Sequence, residues 1–140
     1  MKLETLQLTN FRRFKHLEIS FHKNLTVLAA RNGQGKTSVL DAATIALGTF
    51  VGAFDLGKAK HIEQRDARYK REKNKPESEQ QFPVEVKASL SGLKNPVLRK
   101  LSGAKNKTTT KDAVELAALG KKMMTQVRNL EPVALPLLAY

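Results

Sequence analysis

The residues most able to do chemistry lie in one octet, Ala30-Arg31-Asn32-Gly33-Gln34-Gly35-Lys36-Thr37. Its spacing matches the Walker A phosphate loop, with alanine where the first glycine usually stands; that position needs a small residue more than it needs glycine. Backbone N–H groups from about Gly33 to Thr37 can converge into an anion nest at the positive end of a following helix. Gly33 and Gly35 permit backbone angles and a close approach that a β-carbon would obstruct. Lys36 is placed to reach β- and γ-phosphates, the Thr37 hydroxyl to ligate Mg²⁺, and Ser38 to bond an α-phosphate. Asn32, Gly33, Gln34, Gly35, Lys36, Thr37 and Ser38 are therefore the candidate contacts for ATP and Mg²⁺. The competing reading is a glycine-rich turn with a chance lysine, which leaves the flanking pattern unexplained.

That flanking pattern supplies the elements such a loop requires. Residues 25–30, Leu-Thr-Val-Leu-Ala-Ala, form a short apolar run predicted to be a strand buried on both faces. Residues 36–49 are rich in alanine and leucine on most sides, predicting an interior helix. Upstream, alternation over 3–9 and 16–21 predicts two strands joined through Asn10-Phe11-Arg12-Arg13-Phe14. Downstream, 82–90 and 97–101 predict a strand pair, followed by a polar loop over 102–109. A last helix is expected from Thr109 or Thr110, either of which can cap it, with Asp112 favouring its dipole. Leu116, Leu119, Met123, Val127 and Leu130, spaced 3, 4, 4 and 3 apart, read as one core-packing stripe. Val133 to Tyr140, punctuated by Pro136, reads as a further buried strand.

The composition bounds the partners. The 140 residues carry 25 Lys or Arg against 13 Asp or Glu, a formal net charge of +12 that favours polyanions. The basic surplus is concentrated in residues 57–75, eight Lys or Arg against three acids, within a segment from 55 to 81 that reads as a solvated, partly helical insertion. Lys70, Arg71 and Lys73 are its candidate nucleic-acid contacts. Tyr69 is its single aromatic residue, so it lacks the spaced stacking platform of single-strand binders. The chain has no cysteine, which excludes disulfides, thiolate metal sites and a cysteine nucleophile. His16, His22 and His61 show no metal spacing. No apolar run approaches the roughly eighteen residues of a membrane helix and no signal-peptide core is present, so a cytoplasmic location is expected.

Taken together, Leu6-Gln7-Leu8-Thr9-Asn10-Phe11-Arg12-Arg13-Phe14, Leu25-Thr26-Val27-Leu28, Asn32-Gly33-Gln34-Gly35-Lys36-Thr37 and Leu40-Asp41-Ala42 resemble the start of the SMC/RecF-like ABC-type ATPases that act on DNA. The resemblance implies an α/β P-loop NTPase fold of ABC-ATPase type, an N-terminal lobe with a mixed sheet and flanking helices. It implies ATP and Mg²⁺ as cofactors, association of ATPase heads as a homo-oligomer, and approach of Arg12 to the nucleotide phosphates. Arg13 is the weaker candidate, and Asp41 reads as structural or solvated. The ending Pro-Val-Ala-Leu-Pro-Leu-Leu-Ala-Tyr is similar to the PtuA-type ATPases of Septu anti-phage systems, including retron-associated versions. This narrower likeness implies an HNH nuclease partner, a reverse transcriptase and its RNA–DNA product.

The resemblance also sets out what is missing. Hydrolysis in this class needs a Walker B strand ending in Asp-Glu and a signature motif from a second head. Val133 to Tyr140 carries no carboxylate, and neither Leu90-Ser91-Gly92 nor Leu101-Ser102-Gly103 continues as a signature. Gln126 falls on the predicted helix and reads as solvated rather than as a Q-loop residue. The expected organisation is a single N-terminal lobe over 1–140: strands, Walker A and helix over 1–54, the basic insertion over 55–81, and strand pair, helix and last strand over 82–140. The C-terminal lobe would lie beyond residue 140, no catalytic residue falls in this segment, and the segment alone should hydrolyse almost no ATP. Two other readings stay open: a non-catalytic nucleotide-sensing or structural subunit, and a basic nucleic-acid-binding module.

Overall fold

In the computed structural model, which describes residues 1–29, 31–73 and 78–135, alternation near the N-terminus becomes a hairpin. Strand β1 (Leu3–Phe11) pairs antiparallel with β2 (Phe14–Ser20), setting Leu6 opposite Ile19 and Leu8 opposite Leu17. The other edge of β1 pairs with β5 (Val84–Leu90), with Leu8 opposite Val86, and β6 (Val97–Leu101) closes a four-stranded sheet ordered β2-β1-β5-β6. Every pair in it is antiparallel. Period-two alternation puts Leu6, Leu8, Val84, Val86 and Ala88 on one face, all fully buried.

Helix α1 (Lys36–Ala46) covers that face with Val39, Ala42, Ile45 and Ala46. It stops three residues short of the predicted end. The chain kinks at Leu47 and resumes as the single turn α2 (Gly48–Val51). Gly48 opens this turn where there is no room for a side chain: a β-carbon there would stand 2.5 Å from the Lys60 carbonyl oxygen and 2.9 Å from Arg99 Nη1. Helix α3 (Val114–Arg128) lies on α2 through Gly120, where a β-carbon would meet Ala53 Cβ and the Phe50 carbonyl, each at 2.9 Å. Phe50, Leu90, Val97, Ala113 and Leu116 form the second core cluster. Burying a leucine such as Leu116 stabilises the fold by about 1.5–3 kcal/mol.

Several expectations need correction. Residues 25–29 belong to no strand or helix, and Leu25 and Val27 are 73% and 75% exposed. A strand buried on both faces needs neighbours for its edges, and among the described residues this segment has none; Ala30 lies outside them. The expected mixed sheet is accordingly antiparallel throughout as described. The basic segment is largely exposed, but it is not solvated throughout: its root enters the core. Ile62, Asp66 and Ala67 are buried, a 3₁₀ turn spans Gln64–Asp66, and Ala67 bridges to Phe11. Beyond this root a small hairpin stands out, β3 (Arg68–Arg71) paired with β4 (Ser78–Gln81).

At the other end of the chain, neither Thr109 nor Thr110 caps the last helix with its side chain. A 3₁₀ turn at Lys111–Ala113 precedes α3 instead. The apolar stripe is half buried: Leu116 is inside and Leu119 and Met123 lie at the edge, but Val127 and Leu130 are 42% and 93% exposed. Gln126 is half-buried rather than solvated. Residues 133–135 form no strand, and 136–140 lie outside the described residues. Gly92, with φ +89°, sits in the turn that follows β5.

One inward position of β6 holds a cation, fully buried Arg99. Its Nε donates to the Thr109 carbonyl at 3.1 Å, its Nη1 to the Ile45 carbonyl at 3.1 Å, and its Nη2 to His61 Nδ1 at 3.0 Å. Ile45 is in the last turn of α1, where outward carbonyls and the negative end of the dipole favour a cation. Burial nonetheless lowers the Arg99 pKa from its ordinary value.

Candidate phosphate-binding site

The loop from Arg31 to Gly35 is built as a tight turn opening directly into α1. Gln34 N–H donates to the Arg31 carbonyl at 3.1 Å, and Val39 N–H reaches the Gly35 carbonyl at 3.1 Å to start the helix. Gly33 and Gly35 take left-handed φ values of +77° and +95°, a region that favours glycine. The two glycines differ in surroundings. Around Gly33 a β-carbon would meet nothing within 4 Å, whereas at Gly35 it would stand 2.5 Å from Phe14 Cζ and 3.1 Å from Arg13 Cδ. Gly35 is thus required by both angle and space.

The helix start is suited to an anion. No side chain caps α1 and no acidic residue occupies its first turn, so its leading N–H groups have no carboxylate or hydroxyl competing for them. Asn32, Gly33, Gln34 and Thr37 are exposed, while Gly35, Lys36 and Ser38 are half-buried. The Lys36 ammonium donates to the Arg31 carbonyl at 3.3 Å, which folds its side chain back over the loop. Beside the loop, Phe14, Leu17, Ile19, Leu28 and Val39 line an apolar cavity of about 280 Å³. These donors fit a triphosphate. Lys36, the loop amides and Ser38 would hold its phosphates, and the Thr37 hydroxyl would meet the accompanying Mg²⁺.

The two arginines of the β1–β2 turn part company. Arg13 Nη1 donates to the Gly33 carbonyl, which places Arg13 against the loop. Arg12 instead has a left-handed φ of +52° and is bound by two carboxylates. Its Nη1 donates to Asp41 Oδ2 at 2.6 Å and its Nε to Asp66 Oδ1 at 2.9 Å. Asp41 also pairs with Lys60, and Asp41 and Asp66 are both buried. Partial burial opposes the Arg12 charge, but the hydrogen bonds to Asp41 and Asp66 outweigh it and hold its pKa above the ordinary value. Asp41 is therefore structural, as expected, but ion-paired rather than solvated.

Sequence reasoning missed Asp66, Lys60 and the closeness of Arg13 to Gly33. Asp66 carried one readable signal, its position three residues after Glu63. Its Oδ2 accepts the Glu63 N–H at 3.0 Å, a turn-closing bond that acidic residues at this spacing often make.

The candidate nucleic-acid residues sit apart, on the β3–β4 hairpin. Register places Tyr69 opposite Gln80 and Arg71 opposite Ser78 on one face, with Arg68 opposite Gln81 and Lys70 opposite Glu79 on the other. Lys70 also lies 3.7 Å from Glu72. Lys70, Arg71 and Lys73 are all exposed, but the face bearing Arg71 and Tyr69 has no carboxylate within the paired residues, and the face bearing Lys70 does. Among the described residues no helix is long and apolar enough to cross a membrane.

The chain is similar to several known proteins. A DNA replication and repair protein RecF from Oceanobacillus iheyensis is 31% identical over 98 residues, covering 69% of this chain and 26% of that protein. RecF from Geobacter sulfurreducens is 46% identical over 59 residues, or 42% of this chain and 16% of the relative. RecF from Lactococcus lactis is 45% identical over 42 residues, covering 30% and 12%. The chain thus spans no more than about a quarter of these relatives' length. A solved structure from work on ATP-driven dimerisation and DNA-stimulated activation of SMC ATPases superposes with a TM-score of 0.56 at 20% identity, covering 86% of this chain and 79% of the other. The fold is that of an SMC-type ATPase head, a P-loop NTPase. Residues 5–130 match the AAA domain family, and the chain belongs to it.

Proposed function

We propose that this chain is the N-terminal lobe of an SMC/RecF-like ATPase head and that its Arg31–Ser38 loop binds ATP with Mg²⁺. The observation that carries this is the uncapped start of α1, entered through two left-handed glycines with Lys36 folded over them. Bound Mg²⁺ would supply neutralisation of phosphate charge. The chain's own part is to bind and orient. Loop amides and Lys36 take the phosphates, Thr37 and Ser38 add hydroxyls, and Arg13, already against Gly33, adds positive charge at the rim. Arg12 belongs to this site as a second-tier residue, steadied by Asp41 and Asp66.

Hydrolysis in ATPases of this class also calls for a Walker B carboxylate and a second head's signature, so the part we assign to residues 1–140 is nucleotide binding. The RecF and SMC relatives point to work on DNA. The hairpin face with Tyr69 and Arg71 is the surface we assign to nucleic acid, with Lys73 beside it and Lys70 secondary. An HNH nuclease, a reverse transcriptase and an anti-phage role rest on residues 132–140 together with the N-terminal pattern; recovery of such a nuclease with the full-length protein would support that narrower reading.

The test is equilibrium titration with a fluorescent ATP analogue in Mg²⁺. Lys36→Ala should weaken binding at least tenfold, as expected for losing a charge-assisted contact worth about 1.5–3 kcal/mol, while the melting temperature of the ligand-free protein stays close to that of the parent. Unchanged affinity in Lys36→Ala would overturn the assignment.

A further inference from the structure

The turn between β1 and β2 is shared by two otherwise separate regions. On one side, Arg13 donates to the Gly33 carbonyl and the Phe14 ring lies where a Gly35 β-carbon would be. On the other, Phe11 bridges to Ala67, and Arg12 is clamped to the root of the basic hairpin. The clamp has two parts from Asp66: its carbonyl accepts the Arg12 N–H at 2.6 Å and its Oδ1 accepts Arg12 Nε at 2.9 Å. Asp66 is 4% exposed, and its other oxygen holds Glu63 N–H, so the carboxylate is committed on both sides. Two residues later β3 begins. Through Asp41 the same guanidinium is tied to α1, five residues along from Lys36.

We propose that Asp66 is a positioning residue that couples the phosphate loop to the β3–β4 hairpin through Arg12, so that a nucleotide at the loop and a polyanion on the hairpin each tighten the other. The left-handed backbone at Arg12 is sparsely populated for a residue with a β-carbon and needs surrounding contacts to persist. Asp66 supplies two of them. The arrangement that brings Arg13 and Phe14 against the loop is the same one that fastens the hairpin root. A ligand that holds either end therefore favours the arrangement the other ligand needs, and thermodynamic reciprocity makes the effect equal in both directions. This inference rests on the proposed nucleotide and nucleic-acid sites.

The experiment measures the affinity of the full chain for AMP-PNP with Mg²⁺, with and without a saturating single-stranded oligonucleotide, at fixed salt. The expected result is tightening of about fivefold or more, reduced to less than twofold in Asp66→Asn, with each ligand alone still bound by the variant. Asp66→Glu, which keeps the charge, should restore part of the effect. A purely structural role for Asp66 would lower the melting temperature and leave the affinity ratio intact, overturning the proposal; weakening in place of tightening would do the same. Failure of either ligand to bind the parent protein would instead refute the proposed function. Should Asp66→Asn not fold, hydrogen exchange in the parent decides: AMP-PNP should slow exchange of the amides of residues 64–71, and unchanged exchange there overturns the coupling.

Discussion

The phosphate loop and the basic segment that follows α1 are both rich in cations and both exposed in part, yet they are built on opposite principles. In the loop, the backbone path is decided within a few positions, although Arg13 and Phe14 pack against it from the β1–β2 turn. Two glycines turn the chain, the helix begins, and Lys36 returns to the Arg31 carbonyl five residues back. In the basic segment the deciding contacts are remote: Asp66 meets Arg12, Ala67 meets Phe11, Lys60 meets Asp41, and the Ile62 N–H donates to Thr108 Oγ1 at 3.0 Å. Charge density alone therefore does not distinguish a solvated face from a buried root. The distance in sequence to each cation's partner does.

The sharpest way to break the loop side of that contrast is at Gly35. Gly35→Ala adds a β-carbon 2.5 Å from Phe14 Cζ at a φ of +95°, combining overpacking with a left-handed backbone. The expected loss is about 3 kcal/mol, read as a fall in melting temperature together with loss of analogue binding. Gly33→Ala isolates the backbone component, because its β-carbon meets open space; about 1 kcal/mol is expected. Equal losses at the two positions would show that the Phe14 contact carries no weight.

The same distinction explains what could be read in advance. Strands over 3–9, 16–21, 82–90 and 97–101 were legible because alternation is local and one sheet face meets one helix. The loop and the start of α1 were legible for the same reason. The segment at 25–29 departs from expectation because an apolar run reports only a tendency to be buried, and whether a strand forms depends on a neighbour elsewhere. Arg99 was invisible for a related cause: in sequence it is one more cation in Leu98-Arg99-Lys100, and only the carbonyls of Ile45 and Thr109, brought from two other elements, make its burial tolerable. Gly120 gave no warning that it would seat α3 on Phe50 and Ala53. At the site itself the glycine turn into α1 was readable, but the separate partners of Arg12 and Arg13 were not, because those of Arg12 come from Asp41 and Asp66.

A smaller effect probes the hairpin. If its two faces differ as the register implies, Arg71→Glu should weaken oligonucleotide binding severalfold and flatten its dependence on salt by about one counterion. Lys70→Glu should do less, since Lys70 sits opposite Glu79 and near Glu72, where part of its charge is already compensated. The pair of salt titrations is the measurement. Equal slopes in the two variants would mean that the hairpin contributes only its net charge, not a face.

The smallest effect lies within the basic segment, at His61, where it touches the buried Arg99. Arginine can only donate, so His61 Nδ1 accepts from Arg99 Nη2 and the ring is neutral at that nitrogen. Desolvation first, and the Arg99 charge second, push the His61 pKa below its ordinary value. A depressed histidine pKa means the unfolded chain takes up the proton more readily than the folded one. The contribution to stability is therefore fully present above about pH 6.5, the unfolded value, and is lost as pH falls through the lower folded value. Melting temperatures from pH 8 to pH 5 should accordingly fall more steeply for the parent than for His61→Asn, which keeps an acceptor of similar reach without titrating. His16 and His22 are common to both proteins and cancel in the difference. A difference of the opposite sign would show that protonated His61 is accommodated beside Arg99, and that the segment's root is held by Asp66 and Ala67 without help from this contact.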